Sequence, residues 1–146
     1  MRFAEITDGA KLHAGPRLVT EAEIIDFARR YDPQPFHVDP VAAEASRWKG
    51  LIGSGWLTCS IAMELYVRSL LGNSDSLGSP GVEKIEWPHP VRPGDALSLT
   101  ITILGVRRSS TGRVGIVRCE WEMRNQRDIV VLRLLASSLF DLASRA

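Results

Sequence analysis

Asp32 and His37 stand five residues apart in the stretch from Tyr31 to Pro40, which also holds Pro33, Pro35 and Asp39. A carboxylate and an imidazole on a proline-stiffened backbone are what a proton-transfer pair requires. Both groups must converge on one water, and neither can be free to drift. The same residue types also have a purely structural use. Asp-Pro pairs start turns, and a histidine can fill a surface gap.

A second cluster follows. Gly50, Gly53, Ser54 and Gly55 lead directly into the most apolar stretch of the chain, beginning at Trp56. Glycines at the start of a buried helix let backbone N–H groups approach a ligand closely, and the helix dipole adds partial positive charge there. Such donors suit a thioester carbonyl that becomes an enolate, because they point where negative charge develops. The plain alternative is a tight turn into a core helix. No GxxxxGK[ST] pattern is present, so this turn is not a P-loop.

The flanking elements must hold these groups. Thr20 and Glu23 have the spacing of a capping box. Ile24, Phe27, Ala28 and Tyr31 follow on one helical face, and Asp32-Pro33 stops the helix. A stiff, non-regular path is expected from Asp32 to Asp39, then a short helix from Pro40 to about Ser46. The stretch from Trp56 to Leu71 is apolar nearly all round in its first three turns, which predicts a buried helix ended by Gly72 and Asn73. Residues 1–19 read as extended or loop-like, and residues 73–80 as a mobile surface loop. From residue 81 the period changes to two. Val82 to Trp87 is a strand candidate. Leu97, Leu99, Ile101 and Ile103 alternate with polar residues, as do Val117, Cys119, Trp121 and Met123. Asn125 to Asp128 reads as a hairpin turn, and Ile129 to Phe140, apolar on both faces, as a central strand. Together these predict a single α+β domain over residues 1–146, a long central helix wrapped by an antiparallel β-sheet. Dimerisation would cover the edge and apolar rim that such a sheet leaves.

Composition narrows the function classes. The chain has 146 residues, 45% of them apolar and 24% charged, with a net charge of +1. That balance gives no bulk attraction to nucleic acid or to an anionic membrane. Cys59 and Cys119 lack metal-finger spacing and read as reduced thiols. His13, His37 and His89 are isolated, so no metal is expected. The first residues lack an apolar leader segment, and the longest apolar stretch is interrupted by Glu64 and Arg68. A cytoplasmic location is therefore expected.

Taken together, these motifs resemble the MaoC-like, or (R)-specific enoyl-CoA hydratase, family of hotdog-fold proteins. The first family motif stands here as Asp32, Pro35, His37 and Asp39, and the second as Gly50 to Leu57. The connection through Pro93, Gly94 and Asp95 into an alternating strand is also similar. The resemblance covers roughly residues 15–140. It implies a hotdog fold and a hydratase or dehydratase acting on 2-enoyl or 3-hydroxyacyl thioesters. Asp32 and His37 would activate one water for syn addition, and the Gly55 N–H would form the oxyanion hole. Gln34, Ser54, Trp56 and Ser60 would line the substrate site. No cofactor would be consumed, since coenzyme A or an acyl carrier pantetheine belongs to the substrate. Homodimers or higher homo-oligomers are implied.

The chain departs from the pattern at four places, the first of them Pro33, a proline directly after Asp32. Gln34 replaces an asparagine, Ser54 replaces a histidine, and Trp56 stands where smaller apolar residues are common. Trp56 either narrows the acyl pocket or packs in the core. Glu64 is either an acid in the acyl tunnel, as in hotdog thioesterases, or a solvent or subunit contact. Arg107, Arg108 and Arg113 either bind coenzyme A phosphates or decorate a solvated hairpin tip. His13 and His89 are expected to be structural or exposed, and Trp48, Trp87 and Trp121 to be core or interface aromatics. A thioesterase and a non-catalytic acyl-thioester-binding subunit are the competing functions.

Overall fold

The computed structural model describes residues 1–143. A 3-10 turn at Phe3–Glu5 precedes strand β1 (Lys11–Leu18) and helix α1 (Glu21–Tyr31). Two short helices follow, α2 (Pro35–Val38) and α3 (Pro40–Ala45). The long helix α4 (Gly55–Tyr66) continues as a π-helical turn over Val67–Leu71. Strands β2 (Ser76–Gly78), β3 (Val82–Glu86), β4 (Ala96–Arg108), β5 (Val114–Arg124) and β6 (Val130–Asp141) complete the order. The sheet is antiparallel in the order β1-β4-β5-β6, and both β2 and β3 pair with the far edge of β6.

The period-two residues do what a half-buried sheet demands. Leu97, Leu99, Ile101, Ile103, Val117, Cys119 and Met123 are almost completely buried against α4 and its neighbours. Ile61, Ala62, Leu65, Tyr66 and Leu70 form the buried face of the helix and its extension, so the helix lies across the concave side of the sheet. The hairpin joining β5 to β6 turns at Asn125, whose Oδ1 accepts from the Arg127 and Ile129 N–H groups. β6 has neighbours along both edges, as its two apolar faces imply.

Several expectations need correction. Residues 11–18 form a full edge strand. Its sequence hides the alternation because a bulge between Ala14 and Arg17 shifts the register. Gly15 is required there: its φ is +103°, and a Cβ would come within 2.7 Å of the Leu97 carbonyl oxygen. The loop at 73–80 contributes the short strand β2. The path from Asp32 to Asp39 includes one helical turn, α2, which begins at Pro35 where a missing N–H costs nothing. Asp39 then caps α3 through Val41 and Ala42. Only half of the capping box at Thr20 forms. Thr20 accepts from the Glu23 N–H, but the Glu23 carboxylate is held by the guanidinium of Arg17. The central helix is buried on one face only, and Trp56, Met63 and Val67 are exposed on the other.

Candidate active site

The structure brings Asp32, Gln34, His37, Gly55 and Trp56 to a single cleft of about 360 Å³, whereas Ser54, expected to line the substrate site, is fully buried behind Asp32 and touches the site only through its hydroxyl. Three elements meet there. Asp32 is the C-cap of α1, His37 rides on α2, and Ser54 is the N-cap of α4. The Gly50–Gly53 turn is fixed between them. The Ile52 N–H donates to the Phe36 carbonyl, and the Gly53 N–H to the Val91 carbonyl. The connection before β4 is itself held by the buried Asp95, which accepts from the Arg92 N–H and the Gln126 amide.

His37 is buried, and its Nδ1 lies 2.7 Å from the Ile52 carbonyl oxygen. A carbonyl can only accept, so Nδ1 carries a proton and Nε2 is the working nitrogen. Nε2 faces Asp32 Oδ2 at 3.2 Å. Asp32 also accepts from the Gln34 amide on Oδ1 at 2.7 Å and from the Ser54 hydroxyl on Oδ2 at 2.8 Å. Burial alone pushes the Asp32 carboxyl upward. The hydrogen bonds from Gln34 and Ser54 and the facing His37 outweigh that and hold it below the usual carboxylate range. Asp32 is thus kept ionised beside an imidazole, at the mouth of a cleft where a water can touch both.

Ser54 has a second contact. Fully buried, it accepts from the Trp56 N–H at 3.3 Å and so caps α4. Gly55 is the first residue of the helix, so its N–H has no partner within the helix. A side chain at this position is impossible without rearrangement, because a Cβ would lie 2.5 Å from the Trp87 indole. Trp87 donates from Nε1 to the Gly55 carbonyl at 3.0 Å and packs edge-on against Trp56. The site therefore offers a carboxylate, an imidazole and a helix N-terminus facing one space. Those are the parts needed to activate a water and to stabilise a developing oxyanion.

Ser60 is not brought to the cleft. It is exposed, and its hydroxyl donates to the Trp56 carbonyl on its own helix. Trp56 does not pack in the core but is 54% exposed on the cleft wall. Glu64 is away from the cleft and pairs with Arg17 at 3.5 Å and Arg68 at 3.2 Å. Arg107, Arg108 and Arg113 lie exposed around the β4–β5 hairpin, outside the cleft. Trp48 and Trp87, expected to be core or interface aromatics, and His89, expected to be structural or exposed, all line the cleft. His89 is exposed, as expected, and its Nδ1 lies 3.1 Å from the Val130 carbonyl oxygen. Only its place between two prolines near the glycine turn could have hinted at this. Burial pushes the Cys59 and Cys119 thiols upward, which disfavours the thiolate. Among the described residues, no group of three His, Cys, Asp or Glu side chains is placed to hold a metal, and no helix is long and apolar enough to cross a membrane.

A helix wrapped by an antiparallel sheet defines a hotdog protein, and an acid and a histidine lie in contact near the helix N-terminus. Residues 3–123 match the family described as the MaoC like domain, and the chain belongs to that family. A MaoC-like dehydratase from Rhodospirillum rubrum is 36% identical, with a TM-score of 0.86 and 94% of each chain covered. The uncharacterized protein YdeM of Bacillus subtilis is 27% identical over 131 residues, covering 90% of this chain and 92% of its own. The R-hydratase PhaJ1 of Pseudomonas aeruginosa shares the fold, with a TM-score of 0.76 at 20% identity over 95% of this chain and 84% of its own.

Proposed function

We propose that this chain adds water to 2-enoyl thioesters or removes it from 3-hydroxyacyl thioesters, a carbon–oxygen lyase reaction. The observation that carries this reading is the 3.2 Å contact between Asp32 Oδ2 and His37 Nε2 in a cleft that Gly55, the first residue of α4, also lines. Similarity to a MaoC-like dehydratase across nearly the whole chain supports it. In hydration, His37 positions the water and Asp32 draws its proton while the oxygen bonds to C3. The C2=C3 electron pair moves onto the thioester oxygen, where the Gly55 N–H and the α4 dipole stabilise the enolate. His37 carries the proton on to C2 on the same face, so both fragments of the water add syn. Dehydration is the same path reversed. No cofactor is consumed. Coenzyme A or a carrier pantetheine enters as part of the substrate, and the setting is the cytoplasm.

We take the working unit to be at least a homodimer. Strand β3 pairs with β6 on one side only, and its first residue, Val82, is half exposed. Sedimentation would give the oligomeric state.

Crotonyl-coenzyme A hydration, read as loss of enoyl absorbance, tests the reaction. Wild type should turn over, whereas Asp32→Asn and His37→Ala should each lose more than about a hundredfold, the scale of general acid–base catalysis. Glu64→Gln should stay within twofold of wild type, since that carboxylate is engaged by Arg17 and Arg68. Thiol release from acyl-coenzyme A that depends on Glu64 would instead establish a thioesterase.

A further inference from the structure

A second cavity, of about 290 Å³, lies between α4 and the sheet. It is lined by Met63, Tyr66, Ile85, Trp121, Leu134 and Ala136, among others, and its walls are almost wholly apolar. Its buried end is closed by Tyr66, whose hydroxyl is fixed 2.8 Å from Ser138 Oγ. Among the described residues Trp56 alone lines both this cavity and the cleft, so it stands between them.

The two indoles at this wall are held differently. Trp87 is pinned: it donates to the Gly55 carbonyl and lies in van der Waals contact with the Gly55 backbone. Trp56 packs edge-on against it, with ring centroids 5.3 Å apart and planes at 79°. The Trp56 indole N–H makes no hydrogen bond among the described residues, and the residue is 54% exposed. One leaf of the wall is fixed, and the other is retained by a single aromatic contact.

We propose that Trp56, closing against Trp87, sets the acyl-length selectivity of this site. This rests on reading the cleft as an enoyl-thioester site. Short acyl groups end within the cleft and leave the wall closed. Longer chains must turn the Trp56 indole out before their distal carbons reach the apolar cavity. At about 290 Å³ the cavity has room for several methylenes. An open path would reward each buried methylene with about a fourfold gain in affinity. The closed wall withholds that gain.

The test compares dissociation constants of butanoyl- and octanoyl-coenzyme A, which cannot be hydrated, so the readout does not depend on turnover. Wild type should bind the two within about fivefold of one another, little more than one methylene's gain. Trp56→Ala should favour octanoyl by at least a further tenfold, and adding Met63→Trp, at a half-exposed position lining the cavity, should cancel the gain. A wild type that already gains about fourfold per methylene up to octanoyl would overturn the proposal. So would a Trp56→Ala protein whose ratio stays within twofold of wild type. If the ratio shifts as stated but no enoyl thioester is hydrated, the partition stands and the hydratase reading fails.

Discussion

Removing the Ser54 hydroxyl tests whether Asp32 is held for catalysis or merely happens to lie near a helix cap. Ser54 Oγ donates to Asp32 Oδ2 at 2.8 Å and accepts from the Trp56 N–H at 3.3 Å, and the residue is fully buried. A hydrogen bond to a charged acceptor contributes about 1.5–3 kcal/mol. The cap contributes about 0.5–1 kcal/mol, at the low end of its range because the contact is long. Ser54→Ala loses both. Ser54→Gly loses the donor, but glycine at an N-cap gives up only a few tenths of a kcal/mol. The two variants should therefore differ in stability by about 0.5 kcal/mol and agree in activity. Each should lower kcat/KM for crotonyl-coenzyme A hydration by roughly 10- to 100-fold, the rate equivalent of the lost charged hydrogen bond. The Asp32 carboxyl, followed by carbon NMR, should titrate higher in both, toward its ordinary value. Ser54→Ala retaining activity within twofold, with an unmoved Asp32 titration, would refute this. An activity loss confined to Ser54→Ala would reduce Ser54 to a cap.

Gly55→Ala should cost about 1–3 kcal/mol of stability, because its Cβ would lie 2.5 Å from a Trp87 carbon in a packed contact. Thermal melts should show this loss and its partial recovery in Gly55→Ala/Trp87→Phe, and an unchanged Tm in the single variant would refute the packing argument. The folded state holds the Asp32 carboxyl low, whereas the unfolded chain titrates near about 3.9. Its stabilisation is complete above that unfolded value and is lost as pH falls through the lower folded value. Urea midpoints between about pH 5 and about pH 2 should therefore fall more steeply for wild type than for Asp32→Asn, and parallel curves would refute the assignment.

Where the fold was legible, the signal was local and periodic. Leu97 to Ile103 and Val117 to Met123 alternate cleanly because each strand has one face on α4 and one on solvent. β1 escaped because its bulge at Gly15-Pro16 breaks the alternation, and β2 because three residues carry no period. The exposed face of α4 was misread for a related reason. Trp56, Met63 and Val67 are apolar, so the helix looks buried all round, yet Trp56 and Met63 line cavities and are not packed into the core. Hydropathy does not distinguish an apolar residue facing a cavity from one in the core.

The same division runs through the site. Asp32, His37 and Gly55 were legible as candidates because two short segments resemble a family motif, whereas their residue types alone left a turn and a helix start open. Trp87 was not, because its role comes from a contact across 32 residues with the Gly55 carbonyl, and no local pattern encodes that contact. The departures at Gln34 and Ser54 are the more instructive case. Read in sequence, they raise the prospect of a disabled site. In the structure they are the two hydrogen-bond donors to the Asp32 carboxylate, one on each oxygen. Hydrogen-bonded on both oxygens and facing His37, the Asp32 carboxylate keeps the contacts that the proposed acid–base pair needs, so the two departures count for that proposal and not for a subunit that only binds.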